Sequence, residues 1–314
     1  MKKKRKKKSE LVKRLEYYAA CIIFFVVRLI PFRGIGLIGN VLGDLVYFLA
    51  SRRRAIAIDN LKHAFSGEKS LSEINKIARQ SCRSFVITFL EIVKFRSLFT
   101  GSQVMDKMKS YAENLDELFH KAKKIHDESG GCIFVTPHIG NWEILPQVSS
   151  VIGIPLAIVA RPLDNEYLEK LIFKSRVSEG QYIIPKKNAL FVLQRTLQKG
   201  TSIGMLPDQS TMKGIIIQFF GRPATTTPVP AVLAIRYNRP IVVVAACRKE
   251  NDQFEGFVSD AIWPGEYTSE KAEIIRITEA VTCNMERIIR KYPDQYLWMH
   301  NRWKTYRGKK ELMS

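Results

Sequence analysis

Between residues 131 and 265, short β-branched runs at 132–135, 156–159, 202–206 and 241–244 alternate with helical patterns over 141–151, 165–179 and 188–198. This alternation constrains the fold more than any other feature of the chain. The runs are continuously apolar rather than alternating, as strands buried on both faces are. Parallel neighbours need a crossover of a dozen or more residues, usually a helix, and the intervening segments supply it. The expected class is α/β, a largely parallel central sheet flanked by helices, with active-site residues at the carboxyl ends of the strands.

Upstream, residues 55–125 read as helix. Ser70-Leu71-Ser72-Glu73 has the form of a capping box ahead of a pattern running through Val86, Phe89, Ile92 and Val93. Downstream, 269–291 is a helix apolar at Ile274, Ile277, Val281, Met285 and Ile288, stopped by Tyr292-Pro293.

The first residues are MKKKRKKK, followed by an uncharged run at 17–27, by Arg28 and Arg33, and by a second apolar run at 34–51 that contains Asn40 and Asp44 and closes on Arg52-Arg53-Arg54. A bilayer core takes about 20 apolar residues to cross, and the first run falls short. The pair reads as a hydrophobic membrane anchor, either one tilted helix with snorkelling arginines or two amphipathic segments in the interface. No small-x-small cleavage site follows Val27, so an uncleaved anchor is expected, its basic cluster on the cytoplasmic side. The chain divides into residues 1–54, the basic N-terminus and anchor, and 55–314, the α/β domain.

Fifty Lys+Arg against thirty Asp+Glu give a charge of +20 and favour anionic partners: nucleic acid, lipid headgroups or acidic carrier proteins. Nine of the first sixteen residues are basic and abut the apolar run, which points to a bilayer. No zinc-finger, RNA-recognition or helix-turn-helix signature appears, so nucleic acid is not an expected partner. The five cysteines are dispersed without a CxxC, as buried free thiols in a reducing compartment would be, and no metal site is expected.

The sharpest chemical signal is Thr136-Pro137-His138-Ile139-Gly140-Asn141-Trp142-Glu143, directly after the first strand. A histidine at a strand end, with a carboxylate five residues later in the first turn of the next helix, forms the base-plus-orienter half of a triad. The competing reading is a structural histidine. There is no GxSxG, Cys132 lies inside a strand, and HExxH spacing is absent. A base without a nucleophile suits direct transfer, in which His138 deprotonates an acceptor hydroxyl. Arg161 follows the second strand and Asp208 the third, so both belong at the sheet edge of His138. Arg161 and Arg222 suit a phosphate or thioester oxygen. Arg161 alternatively pairs with Asp164 or Asp208, Asp208 caps a turn, and Arg222 is a solvated loop arginine. Tyr296, Trp298 and Trp303 are expected to pack a last strand onto the core, with His300 and Arg302 open as residues that line the site, and His63, His120 and His126 to be solvated.

Four further blocks accompany the H-x4-E motif: Arg161-Pro162-Leu163-Asp164-Asn165, Leu206-Pro207-Asp208-Gln209, 219–226 and 292–303. In this order they resemble the bacterial lipid A late acyltransferases, the lauroyl/myristoyl transferase family related to glycerolipid acyltransferases. The resemblance implies a glycerolipid-acyltransferase-like fold. It implies transfer of a fatty acyl chain, usually from acyl carrier protein, to a hydroxyl of an anionic lipid A precursor at the cytoplasmic face of the bacterial inner membrane. It makes His138 and Glu143 the catalytic pair, assigns substrate binding to Arg161, Asp208, Arg222, Asn141 and Gln209, and calls for no metal or cofactor. A different glycolipid or a lysophospholipid as acceptor, coenzyme A as donor, and plain thioester hydrolysis all stay open.

Overall fold

The computed structural model describes residues 9–98, 104–112, 115–160, 163–171, 182–185, 189–250, 253–304 and 306. Its centre is a six-stranded sheet of β1 (Ile133–Val135), β2 (Leu156–Ala160), β3 (Tyr182–Pro185), β4 (Ser202–Met205), β7 (Ile241–Arg248) and β8 (Phe254–Val258) in the order β3-β2-β4-β1-β7-β8. All neighbours are parallel except β7 and β8, which pair antiparallel. The expected parallel sheet is therefore present, with one antiparallel edge strand. β1 sits between β4 and β7, with Val135 in register with Met205 and Val243. Whatever leaves the end of β1 thus emerges beside the ends of both neighbours.

Both faces are covered. Ile133, Val135, Ala157, Ile203, Ile241 and Val243 point into the larger core, against α3 (Ser51–Ala64), α4 (Leu71–Leu98), α9 (Val229–Tyr237) and α10 (Glu270–Lys291). Cys132, Phe134, Leu156, Ile158 and Val242 meet α6 (Leu115–Ser129) on the other face. The remaining helices are α1 (Glu10–Leu29), α2 (Phe32–Leu49), α5 (Val104–Lys109), α7 (Leu145–Val151) and α8 (Ala189–Gln198). The capping box forms as expected: Ser70 N–H donates to Glu73 Oε2 at 2.8 Å and Glu73 N–H to Ser70 Oγ at 3.3 Å.

Two sequence expectations need correction, and one hairpin comes in addition to them. The helix after β1 starts at Leu145 rather than 141, because Asn141 N–H bonds to Ala246 O of β7 at 2.8 Å and Pro146 suits the first helical turn. A hairpin of β5 (Ile215–Phe219) and β6 (Arg222–Thr226) stands apart from the sheet, turning on Phe220 and Gly221, both at positive φ. That is the two-residue turn whose twist matches the strands. In place of a last strand there is a 3₁₀ turn, Pro293–Gln295, and a single bridge from Tyr296 to Ile139. Tyr296, Trp298 and Trp303 are nonetheless buried in the larger core, as expected. Helix runs over 166–171, and the rest of the 165–179 pattern lies outside the described residues.

α2 lies along α4 on a face of Ile35, Gly39, Gly43 and Tyr47. A Cβ at Gly43 would stand 2.3 Å from Arg83 Cα, so the two backbones touch where no side chain fits.

Candidate active site

β1 delivers its carboxyl end into a clamp. Thr136 N–H continues the ladder to Met205 O at 3.1 Å, and Ile139 N–H then closes a three-residue turn onto Pro137 O at 2.8 Å, centred on His138. His138 O accepts from Leu297 N–H at 3.0 Å and Gly140 N–H donates to Gln295 O at 3.2 Å, so the 3₁₀ segment holds the turn from one side. Gly140 sits at φ +55°, and a Cβ there would stand 2.1 Å from Ala246 O. Only glycine fits. Beneath it, Thr88 Oγ1 of α4 donates to Gly140 O at 2.7 Å.

A buried charge network supports Thr88. Arg248 grips Glu91 with two bonds, Nε to Oε1 at 2.8 Å and Nη2 to Oε2 at 2.5 Å, and also donates to Thr88 Oγ1 at 2.6 Å. Glu91 Oε2 also accepts from Asn141 Nδ2 at 2.8 Å. Asn141 is fully buried. Its amide fastens the turn to α4 from the interior.

The His138 ring points to Asp208, not Glu143. Asp208 Oδ1 lies 2.6 Å from Nδ1, and Asp208 Oδ2 accepts the His138 backbone N–H at 2.9 Å. One carboxylate thus fixes both the ring and the backbone that carries it. As its position after a strand predicts, Asp208 follows β4, the strand beside β1. Glu143 falls in the 142–144 turn before α7, and the field of its charge reaches His138. The expected placement of Glu143 in a helical first turn failed because Asn141 is pulled away to β7.

An acceptor carboxylate at Nδ1 puts the proton there and leaves Nε2 with its lone pair. Gln209 Nε2 sits 3.3 Å from that nitrogen. Trp142 packs edge-on against the ring at 5.3 Å. Burial disfavours the charged ring, but the attraction of Asp208, its hydrogen bond and the charge of Glu143 outweigh it and raise the His138 pKa. Burial likewise works to raise the Asp208 pKa, and His138, with a contribution from Arg302, holds it below the ordinary value. Burial and Asp208 push the Tyr296 phenol well up, so it stays protonated.

Arg302 rather than Arg222 is the arginine whose charge reaches Asp208. It is buried, bonded to Thr225 O at 2.7 Å and Thr226 Oγ1 at 2.5 Å, with its guanidinium 4.8 Å over Phe219. Arg222 opens β6 and lies over Trp303 at 5.7 Å, where a half-buried cation–π contact engages it instead of open solvent. Arg161 lies outside the described residues. His300, held neutral by burial, accepts at Nε2 from Ser210 N–H at 3.2 Å, one residue beyond Gln209. In sequence Ser210 and His300 are ninety residues apart, and nothing marks them as neighbours.

No activated nucleophile stands beside this base among the described residues. Ser210 Oγ lies 3.3 Å from His300 Nε2 and 3.3 Å from Tyr306 Oη, but that nitrogen accepts the Ser210 backbone N–H and the hydroxyl proton goes to Asn301 O at 3.0 Å. Burial raises the Cys132 thiol to about 12 and the Cys82 thiol to about 11, and Cys247 is also pushed up. Cys82, Cys132 and Cys247 are buried as expected, but Cys21 is half-exposed and Cys283 exposed. His126 reverses its expectation: it is buried, with Nδ1 2.8 Å from Ser202 Oγ.

Residues 2–305 match the family model described as bacterial lipid A biosynthesis acyltransferase. The chain is 24% identical over 295 residues to the lipid A biosynthesis palmitoleoyltransferase of Escherichia coli (strain K12), covering 93% of this chain and 91% of that protein. A lipid A biosynthesis acyltransferase of Haemophilus influenzae is 23% identical over 299 residues, covering 92% of this chain and 90% of that one. With the family's model matching almost end to end, and a strand-end histidine held by a buried carboxylate at its centre, the chain belongs to the bacterial lipid A biosynthesis acyltransferases and is an acyltransferase.

Proposed function

We propose that this enzyme moves a fatty acyl chain from an acyl thioester, supplied by acyl carrier protein, to a hydroxyl of an anionic lipid A precursor at the cytoplasmic face of the inner membrane. The observation that supports this reading is the 2.6 Å bond between His138 Nδ1 and Asp208, which leaves the Nε2 lone pair to act as base, with no activated nucleophile beside it among the described residues. The acceptor hydroxyl displaces the Gln209 amide from Nε2 and gives up its proton there. Its oxygen attacks the thioester carbonyl, the C–S bond breaks as the tetrahedral centre collapses, and the imidazolium returns the proton to the leaving thiolate. Asp208 supports the imidazolium from Nδ1 and Glu143 adds negative potential. Arg161 we assign to the substrate's phosphate or to the developing oxyanion, on its place in the block after β2. The +20 charge suits both an acidic carrier protein and an anionic lipid.

An apolar hollow of about 110 Å³ between α6, α7 and the sheet, lined by Phe119, Phe134, Val148 and Phe257, offers room for part of the acyl chain. Gly256 also lines it. We assign the hollow to chain selection, so Gly256→Leu shifts the product to a shorter chain; an unchanged product length removes the hollow from that role.

The experiment is lipid mass spectrometry after incubating the enzyme with acyl donor and lipid A precursor. A gain of one acyl chain that disappears in His138→Ala supports transfer. Free fatty acid alone makes the protein a thioesterase. Acylation of a lysophospholipid in preference to the precursor redirects the acceptor.

A further inference from the structure

The outward faces of the first two helices are apolar stripes with helical spacing. On α1, Leu11, Leu15, Tyr18, Ile22, Phe25 and Leu29 are each more than half exposed, at successive steps of four and three residues. On α2, Leu37, Val41, Leu45 and Phe48 are more than half exposed on the face opposite Gly39 and Gly43. Soluble monomers do not leave ten large apolar side chains in two such rows facing water. In sequence, Arg28 and Arg33 at the turn between the helices, Arg52 and Arg53 after α2 and the MKKKRKKK run before α1 flank the stripes with positive charge, which fits an anionic leaflet.

By length and composition α2 qualifies as a membrane span. Its attachments argue otherwise. A 20-residue helix is about 30 Å long, so spanning puts its two ends on opposite sides of a bilayer. Yet both ends of α1 are fastened to the catalytic domain. Near its start, Asn165 Nδ2 donates to Lys13 O at 2.8 Å and to Glu16 Oε2 at 3.0 Å, and Lys13 pairs with Glu166 at 3.3 Å. At its end, Lys94 Nζ of α4 donates to Arg28 O at 2.8 Å. The same holds for α2. Phe32 stacks against Phe95 and Tyr111 at 5.3 and 5.1 Å, and at the other end Tyr47 Oη donates to Asn75 Oδ1 at 3.4 Å. Mid-helix, Asp44 is forked by both Arg79 and Arg83 of α4. A spanning α2 would either break these pairs or draw α4, with its charged residues, into the hydrocarbon.

We propose, resting on the membrane reading above, that α1 and α2 lie flat in one leaflet of an anionic bilayer and that neither crosses it. The loop holding Asn165 follows β2, at the sheet edge that carries His138 and Asp208, so α1 runs from the bilayer-bound hairpin to the rim of the active site. The acceptor lipid then reaches His138 from the leaflet in which the helices are embedded, without leaving it.

The test labels the full chain in sealed membrane vesicles of both orientations with a membrane-impermeant maleimide. The background is Cys21→Ala with Cys283 kept as the reference for the catalytic domain, and Arg14→Cys and Arg28→Cys are added one at a time. Arg14→Cys, Arg28→Cys and Cys283 should all react from one and the same face. Reaction of Arg28→Cys from the face opposite Cys283 overturns the proposal, meaning that both helices span where Arg14→Cys reacts with Cys283 and that α2 alone spans where Arg14→Cys reacts with Arg28→Cys; reaction of Arg14→Cys alone from the opposite face means that α1 spans and overturns it too. Leu37→Asp with Val41→Asp should lower co-sedimentation with phosphatidylglycerol-containing vesicles at least tenfold, and unchanged co-sedimentation also overturns it. None of these readouts depends on turnover, so acyl transfer to precursor in detergent micelles stands or falls separately.

Discussion

Asp208→Asn probes the carboxylate that lies against His138 Nδ1, beside the expected His138–Glu143 pair. Asparagine is isosteric, and its carbonyl oxygen can still accept the His138 backbone N–H that Asp208 Oδ2 takes at 2.9 Å. Its NH₂ then faces Nδ1, which has to accept, and the ring proton moves to Nε2, where the base is needed. The imidazolium formed in the transition state also loses its counter-charge. At about 4 Å and an effective dielectric of about 20 that attraction is on the order of 4 kcal/mol, roughly a thousandfold in rate, within the 10²–10⁴-fold span of general-base contributions. The pH profile adds a second readout. The His138 pKa is raised above 6.5, and catalysis needs the neutral ring, so wild-type kcat/KM falls as pH drops through a value above 6.5. Without Asp208, burial is opposed only by Glu143, and the residual activity keeps its acid limb to a lower pH. The assay is kcat/KM against pH for wild type, Asp208→Asn and Glu143→Gln in lipid–detergent micelles, with thermal unfolding to confirm folding. If Asp208→Asn keeps more than a tenth of wild-type activity and its acid limb does not move, while Glu143→Gln shows the loss and the shift, Glu143 is the orienting carboxylate and the reasoning fails.

The turn and its support give two more predictions. Gly140→Ala places a Cβ against Ala246 O at positive φ and should destabilise the protein by about 2–4 kcal/mol, read as a lower denaturation midpoint, with activity lost even where folding survives. An unchanged midpoint would mean that the turn relaxes freely. Arg248→Met strands the buried Glu91 carboxylate and should cost roughly 3–5 kcal/mol in urea unfolding, whereas the double change with Glu91→Leu should recover part of that loss. A double variant no more stable than the single one would show that the stranded charge is not the cause.

Much of this was legible along the chain because it depends on local pattern. β1, β2, β4 and β7 announce themselves as short apolar runs, the α4 capping box needs only Ser70 and Glu73 three residues apart, and His138 stands at a strand end. β6 and β8 do not stand out in the sequence because their residues are polar or mixed, whereas β3 and β5 are short apolar runs whose pairing depends on strands that periodicity does not identify. Asp208 was placed at the correct edge, since any residue just past a parallel strand arrives there.

What the sequence by itself determined is the chemistry available: a parallel α/β sheet, a histidine at its edge, carboxylates within reach and two apolar stretches beside a basic run. Only the tertiary structure decided which carboxylate holds His138 and whether the apolar helices are tied at one end or both. Both are questions of distance between residues far apart in the chain. The direction of a ring nitrogen depends on β4 lying beside β1 and on the pull of Ala246 on Asn141, and the attachment of α1 and α2 depends on α4 and the loop after β2. Periodicity carries no information on such pairings, because it records which face of an element is apolar and not what that face meets.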